Sequence, residues 1–403
     1  VPIIWVFLNW WVAPSELFFG VPVNQLAYSQ AQILPLIQVC SFGGAQLLEL
    51  IILLANCAIA GLLFEFVPVL VSRLPERCDR ISSRFGALLD AVCVVALLVA
   101  CASFGQWRIK RGAELPPYST ITVDKREFAP AVPVAVLQGS IPVRPPNFQA
   151  FTRNERIDCY STLIGQLGVA MLILPEAVVH LEDAEGKDLT SRLKGVGIAQ
   201  KKEVITGTLE LIQDRLVNVV RLISEPKVDE CFYVKNRLLP LVESMPFKAP
   251  ASVIPENLLR LLPSSQNNFL RAPSPFLLRS IWGNIGASVS FELVYPELIA
   301  SEVDHGAALL VNVCDLSMFH NPVLAGQLLS AASLRAVENG RYLVLSSNTG
   351  ISAIVNPLGA VTSKSLPNRA GTLLDRVQFL HKRTGFTRMW WLWRPGYRIW
   401  WQQ

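Results

Sequence analysis

Hydrophobic residues are concentrated at the start of the chain, where they form long runs with few interruptions. Two of these runs, 46–71 and 87–107, are as long as the roughly 20 apolar residues that an α-helix needs to cross a bilayer. A third run, 1–13, is shorter and rich in tryptophan, so we interpret it as the end of a further span. A buried core helix would show the same composition, but two such runs close together favour membrane-spanning helices.

Charged residues inside and between the runs indicate how the spans are arranged. Glu49 and Glu65 are expected to lie near the ends of the first span or to face protein. The link between the spans, 72–84, contains four arginines, and the positive-inside rule places such a link in the cytoplasm. The rest of the chain then lies on the extracytoplasmic side, although three basic residues within 108–111 favour the opposite orientation.

From about Val132 onward, short β-rich runs alternate with helical segments. The pattern predicts strand 131–139, helix 151–167, strands 169–174, 204–212, 217–223, 286–294 and 306–314, helix 322–339, and a hairpin that turns at 356–359. Alternation of this kind is typical of a layered α/β domain of roughly 250 residues.

These patterns divide the chain into four predicted parts. Residues 1–107 form a partial transmembrane region, 108–130 a linker, and 131–385 the α/β domain. Residues 386–403 form an aromatic segment that either lies at the membrane interface or is the remainder of a final span. Because the chain begins at Val1 inside an apolar run, we interpret it as a fragment of a longer membrane protein.

The composition limits the classes of function. With 51% hydrophobic and 17% charged residues, the chain is more apolar than a typical soluble protein. The net charge of +5 is small for 403 residues and no basic stripe is present, which argues against nucleic acid as a partner. The eight cysteines show no C-x-x-C spacing and the four histidines are dispersed, so neither a disulfide framework nor a metal site is indicated.

Polar residues that follow apolar strands are the candidates for chemistry. Glu176 follows a predicted strand, Lys235 and Glu243 share the segment YVKNRLLPLVE, and Ser290 and Glu292 lie at the end of another predicted strand. Each has a plainer interpretation. Glu176 could be a solvated or helix-capping acid, Lys235 and Glu243 an exposed helical pair, and Ser290 a small strand residue.

The order glutamate, lysine, nucleophile, with spacings of 59 and 55 positions, resembles the nitrilase superfamily. Four segments are similar to one family within it, the apolipoprotein N-acyltransferases: FFGVPVNQLAYSQ (18–30), VLQGS (136–140), YVKNRLLPLVESMP (233–246) and the run from DLSMF to NPLG (315–359). The last of these resembles cyanobacterial members especially. The resemblance covers nearly the whole chain. It implies an α-helical membrane region joined to an α/β nitrilase-type domain, a four-layer αββα sandwich.

The resemblance also implies an activity and a place in the cell. Members of this family transfer an acyl chain from a phospholipid to the N-terminal amine of a diacylglyceryl-cysteine lipoprotein, by a ping-pong route through an acyl-enzyme. They act in the bacterial inner membrane with the nitrilase-like domain on the periplasmic side. No metal or organic cofactor is implied, no nucleic acid is a partner, and a monomer is expected.

Carried onto this chain, the family pattern assigns a role to each candidate residue. Glu176 matches the general base, Lys235 the group that stabilises the oxyanion, and Glu243 and Glu292 the supporting acids. Ser290 stands where the family has its nucleophilic cysteine, in a segment like C-Y-E. A serine hydroxyl is much harder to deprotonate than a thiol, so impaired turnover is expected.

This departure leaves two alternatives open. The chain could be a catalytically silent homologue that binds lipid or lipoprotein, which Ser290 favours. It could also be a nitrilase-type amidase, which would share the glutamate and the lysine but would not explain the two spans or the 18–30 segment.

Overall fold

A computed structural model of the chain describes the following residues: 2–9, 25–66, 84–113, 131–141, 160, 168–180, 202–212, 215–224, 231–240, 243, 269–272, 276–317, 319 and 321–393. Four predicted features lie wholly or mostly outside them. They are the arginine-rich link between the spans, the linker from residue 114 onward, the helix over 151–167 apart from Tyr160, and the end of the chain after Trp393.

The N-terminal part is helical. Its helices are α1 (Pro2–Phe7), α2 (Leu34–Ile37), α3 (Cys40–Phe66) and α4 (Arg84–Ala113), with a 3₁₀ turn over Leu26–Gln30. By length and composition, α3 and α4 are long and apolar enough to cross a membrane, as their hydrophobic runs predict. Both begin before the predicted spans, and α4 continues to Ala113 in the segment predicted as a linker.

Helix α3 is interrupted near its start by two glycines. Gly44 has a φ of 69°, in the left-handed region that glycine adopts without strain. A side chain at this position would also meet the ring of Phe386, since an added Cβ would lie 2.6 Å from its Cε2 atom. The interruption therefore allows α3 to pack closely against the helix Gly385–Trp393, which contains Phe386.

Thirteen strands form two sheets in the described part of the chain. The first sheet has the order β13-β1-β2-β4-β5-β6, with β3 paired to β4. Its strands are β1 (Ala131–Gln138), β2 (Met171–Ile173), β3 (Val179–His180), β4 (Glu203–Ile212), β5 (Arg215–Ile223), β6 (Cys231–Val234) and β13 (Gly371–Gln378). Strands β1, β2 and β4 are parallel to one another, and β4, β5 and β6 pair antiparallel.

The second sheet has the order β12-β11-β10-β9-β8-β7. Its strands are β7 (Leu278–Ser280), β8 (Gly283–Val289), β9 (Leu309–Cys314), β10 (Leu343–Ser347), β11 (Ala353–Val355) and β12 (Val361–Lys364). The three central strands, β8, β9 and β10, run parallel. Parallel neighbours bring their C-terminal ends to the same edge of the sheet, which is where the candidate residues lie.

The two sheets face each other across an apolar core. Alternate residues of both sheets fill it, among them Val134, Ile205, Val289 and Val311. A second core covers the other face of the second sheet, against helices α5 (Pro296–Asp304), α6 (Pro322–Asn339) and α7 (Gly385–Trp393). The two packed sheets with helices on the outer face of the second form an α/β sandwich, the architecture that the resemblance implies. The predicted helical layer on the first sheet lies outside the described residues.

Most predicted strands and the long helix of the domain are confirmed, but one strand is wrong in its extent. The strand predicted over 286–294 ends at Val289, and Ser290–Val294 forms a 3₁₀ turn. The reason is local, because the Glu292 carboxylate accepts a hydrogen bond from the amide of Val289 (2.8 Å) and so closes the turn. Apolar character alone does not reveal such a turn.

A buried carboxylate of helix α6 joins the α/β domain to helix α3. The Glu338 carboxylate accepts a hydrogen bond from the amide of Ala45 (2.7 Å), just after the interruption of α3. Its other oxygen lies 3.0 Å from Nε of Arg335, and neither side chain is exposed. The contact between α3 and the α/β domain therefore depends on a carboxylate that pairs with a buried cation.

We expect Glu338→Ala to lower the free energy of unfolding by about 3–5 kcal/mol, because it leaves the Arg335 charge buried without this partner. Asp304→Asn is a matched control, since Asp304 pairs with Arg383 in a more exposed ion pair (2.6 Å) and its loss should cost under about 1 kcal/mol. Denaturant unfolding of both variants in detergent measures the difference. Equal losses in the two variants would contradict the expectation.

Candidate active site

Glu176 lies in a tight turn after β2. Its neighbour Ala177 has a φ of 53°, and Gly207 of the adjacent strand passes so close that an added Cβ would lie 2.6 Å from the Cα of Glu176. The carboxylate is buried and accepts two hydrogen bonds, from Nδ2 of Asn218 (2.6 Å) and from the amide of Asp315 (2.8 Å). The interpretation as a solvated acid is therefore wrong.

Lys235 follows directly after β6 and is 2% exposed. Its ammonium donates to Oε1 of Glu243 (2.7 Å) and lies 3.9 Å from Oε1 of Glu176. Glu243 is buried too, and its second oxygen accepts from the amide of Leu239 (2.8 Å). The interpretation as an exposed helical pair is wrong, because both groups lie inside the domain as a buried ion pair.

Glu292 is fully buried within the 3₁₀ turn that follows β8. Besides closing that turn, its carboxylate accepts hydrogen bonds from the Tyr233 hydroxyl (2.9 and 3.0 Å) and from the amides of Asn236 and Arg237 (both 2.7 Å). One side chain thus ties the turn after β8 to the segment after β6 that carries Lys235.

Ser290 is the first residue of the same turn, with a φ of 55°. This left-handed conformation is uncommon for a residue with a side chain, and such strain is concentrated at functional sites. Asn312 of β9 donates from Nδ2 to the Ser290 carbonyl (3.1 Å) and to the Ser288 hydroxyl (2.9 Å), which holds the turn in place. The Cys314 thiol lies 3.8 Å from the Ser290 hydroxyl oxygen.

The buried charges shift one another's protonation. Burial raises the pKa of Glu176 to about 7, an effect that the Lys235 ammonium opposes and Glu243 reinforces. Burial alone would lower the pKa of Lys235, but the carboxylates of Glu243 and Glu176 outweigh it and raise the value. Burial also raises the pKa of Glu292 to about 6. Lys235 is therefore a permanent cation, while Glu176 can take or release a proton near neutral pH.

The structure brings all five predicted site residues to one edge of the sandwich. Lys235 contacts Glu176 and Glu243 directly, and Glu292 links its segment to the turn of Ser290. A carboxylate that titrates near pH 7 beside a fixed cation and a strained turn suits general-base catalysis with charge stabilisation. Among the residues that the structure describes, no cluster of histidine, cysteine or acidic side chains could hold a metal ion.

The sequence matches a known family across this whole domain. Residues 133–379 match the family model described as carbon-nitrogen hydrolase. The chain belongs to the carbon-nitrogen hydrolase family. Residues 1–58 match a second model, the apolipoprotein N-acyltransferase N-terminal domain, so the resemblance inferred from the sequence motifs is confirmed.

Two curated relatives of this carbon-nitrogen hydrolase chain are both named apolipoprotein N-acyltransferase. The one from Geobacter metallireducens is 27% identical over 372 residues, which cover 89% of this chain and 64% of the relative. The one from Gloeobacter violaceus is 25% identical over 386 residues, which cover 94% of this chain and 66% of the relative. The chain thus spans slightly less than two thirds of the length of either relative.

Solved structures with a similar fold include an amidase from a Nesterenkonia species. It is 18% identical in sequence, with a TM-score of 0.46, and the match covers 67% of this chain and all of the amidase.

Several polar residues of the site are absent from the sequence-based prediction. Asn218 and Asn312 lie in the middle of the apolar runs VNVV and LLVNVC, and both are buried. A polar amide inside an apolar strand is a signal in itself, because burial without hydrogen bonds is costly. Tyr233, Cys314 and Asp315 give no such signal, since their contacts depend on how distant strands pair.

The raised pKa of Glu176 predicts a dependence of stability on pH. The folded state holds the proton more tightly than the unfolded state, so its stabilising effect is complete below pH 4.5 and is lost as the pH rises through about 7. Glu176→Gln cannot ionise and escapes this loss. Its free energy of unfolding, relative to wild type, should rise by up to about 3 kcal/mol between about pH 5 and pH 8. Denaturant unfolding at both pH values measures this, and a difference independent of pH would contradict it.

Proposed function

We propose that this chain carries out the N-acylation of lipoproteins. In this proposal it takes an acyl chain from a phospholipid and passes it to the N-terminal amine of a diacylglyceryl-cysteine lipoprotein. The observation that carries the proposal is the combination of two family matches on one chain, a carbon-nitrogen hydrolase domain and the N-terminal domain of apolipoprotein N-acyltransferases. The names of the curated relatives support it.

The proposed route passes through an acyl-enzyme. Glu176 takes the proton of the attacking group and later returns it, which a carboxyl with a pKa of about 7 does well at neutral pH. Lys235 stabilises the oxyanion that forms on the ester carbonyl. Glu243 holds the ammonium in position at 2.7 Å, and Glu292 fixes the turn of Ser290.

Ser290 occupies the nucleophile position. Among the described residues, the hydrogen-bond partners of Glu176, Lys235 and Ser290 include no histidine, the base on which serine nucleophiles usually depend. Turnover through the Ser290 hydroxyl alone is therefore expected to be low. A silent homologue that binds lipid or lipoprotein is the second candidate, and this serine is the observation in its favour.

The proposed place of action is the bacterial inner membrane, with the α/β domain on its periplasmic side. Two helices long and apolar enough to span the bilayer support a membrane location. A phospholipid donor would then reach the site from the bilayer itself. The proposal includes no cofactor, and it treats the chain as a monomer.

The test uses cells depleted of their own lipoprotein N-acyltransferase. The chain and its Ser290→Cys variant are expressed there, their amounts in the membrane are matched, and lipoprotein N-termini are analysed by mass spectrometry. We expect N-acylated lipoproteins from the unchanged chain, and more product from the cysteine variant when the cells are grown with a reductant such as dithiothreitol. If neither form yields any, the proposal fails, and binding of lipoprotein without transfer would favour the silent homologue.

A further inference from the structure

Cys314 lies beside Ser290 at the candidate site. Strands β8 and β9 run parallel, with Val289 opposite Val313, so the next residues along the two strands are neighbours. The Sγ atom of Cys314 lies 3.8 Å from Oγ of Ser290, and the thiol donates a hydrogen bond to that hydroxyl. The neighbouring strand therefore places a thiol close to the nucleophile position.

The backbone next to this thiol contacts the proposed general base, Glu176. The residue after it, Asp315, donates its amide to the Glu176 carboxylate at 2.8 Å. Burial, and then the negative charge of Glu176, raise the pKa of the Cys314 thiol well above its usual value. The thiol is thus neutral at rest, and it must give up its proton during the attack rather than before it.

We propose that Cys314 is the nucleophile that carries the acyl chain, an inference that rests on the proposed function. A thiol gives up its proton far more readily than a hydroxyl, and sulfur is the stronger nucleophile. Of the two groups that lie 3.8 Å apart, Cys314 is therefore the one that a carboxylate base activates. Ser290 then serves as the partner that orients the thiol.

The proposed route transfers the acyl chain through a thioester on Cys314. Sγ of Cys314 attacks the ester carbonyl carbon of the phospholipid, and the thiol proton passes to Glu176. The bond from that carbon to the glycerol oxygen breaks, the oxygen takes the proton from Glu176, and a thioester on Cys314 remains. The lipoprotein amine then attacks the thioester, the C–S bond breaks, and a proton from the amine returns to the sulfur through Glu176.

The experiment locates the acyl group on the purified chain. The protein in mixed micelles receives a phospholipid with an alkyne-tagged acyl chain and no amine acceptor, so that the acyl-enzyme accumulates. After an acid quench and proteolysis, mass spectrometry identifies the labelled peptide. We expect the label on the peptide that contains Cys314, and we expect neutral hydroxylamine to remove it, because that reagent cleaves thioesters but spares oxyesters.

Two cysteine variants test whether the labelling depends on Cys314. Cys314→Ser should reduce labelling about 100-fold or more, the scale of losing one positioned catalytic group. Cys231→Ser is the matched control, because Cys231 is a half-buried thiol of β6 that bonds to the Leu277 carbonyl (3.3 Å), and its labelling should equal that of wild type. Since the wild-type chain alone gives the position of the label, the test stands even if Cys314→Ser fails to fold.

The outcomes separate the inference from the proposed function. A hydroxylamine-resistant label on Ser290 overturns the inference and leaves the acyltransferase proposal intact. Absence of label from both residues overturns the inference and counts against the acyltransferase proposal as well. A label on Cys314 supports both.

Discussion

Lys235→Met is expected to reduce the proposed acyl transfer at least about 1,000-fold. The substitution keeps most of the volume of the side chain but removes the ammonium that lies 2.7 Å from Glu243 and 3.9 Å from Glu176. Loss of one oxyanion donor costs about 10²–10³ in rate, and two buried carboxylates also lose their shared cation. The measurement is transfer of a labelled acyl chain from phospholipid to a synthetic diacylglyceryl peptide by the purified protein in micelles.

A second readout separates a catalytic role of Lys235 from a structural one. The ammonium lowers the pKa of Glu176, so its removal should move the pH dependence of the residual activity to higher pH. Lys235→Arg keeps the charge and should leave that dependence near its wild-type position. Lys364→Met, in an exposed part of β12, is the control and should transfer at the wild-type rate. A modest loss with an unchanged pH profile would contradict the role given to Lys235.

Glu292→Ala is expected to lower the free energy of unfolding by about 3–5 kcal/mol. The substitution removes the acceptor of four donors, namely the Tyr233 hydroxyl and the amides of Val289, Asn236 and Arg237. Loss of an acceptor leaves buried donors with their full desolvation cost. Denaturant unfolding in detergent, at a pH where the wild-type fold is fully populated, measures the loss.

Tyr233→Phe is the matched comparison, because it removes one of these hydrogen bonds and keeps the carboxylate. Its cost should be only about 1 kcal/mol. If Glu292→Ala costs no more than Tyr233→Phe, then the carboxylate does not hold the turn as described. In that case the geometry of Ser290 must depend on other contacts, such as the bond from Asn312.

The sequence predicts the sandwich well because its strands are strongly apolar and its long helix has clear ends. Helix α6 begins after Asn321, whose side chain caps the amide of Val323, and ends at Gly340 in the left-handed conformation. The sequence pattern does not predict strand β13, although β13 pairs with β1 along its whole length. Its sequence alternates only weakly between buried and exposed positions, so the partner strand decides its structure rather than its own pattern.

The candidate site, like the fold, is predicted from the sequence only in part. The order and spacing of Glu176, Lys235 and Ser290 follow a family pattern and so predict a shared site, and the structure places these residues at one edge of the sandwich. Nothing in the local sequence distinguishes Cys314 from the other scattered cysteines. Its position beside Ser290 follows from the register of β8 against β9, which pairs residues 24 positions apart and cannot be read from either strand alone.

The closeness of Ser290 and Cys314 also bears on which residue the chain tolerates at position 290. Adjacent residues of parallel strands are about 4.8 Å apart, which lies within the range that a disulfide spans. A cysteine at 290 would therefore place two thiols where an oxidising compartment could link them and consume both. A hydroxyl at this position cannot form that link, whereas Ser290→Cys should need a reductant to show its full activity.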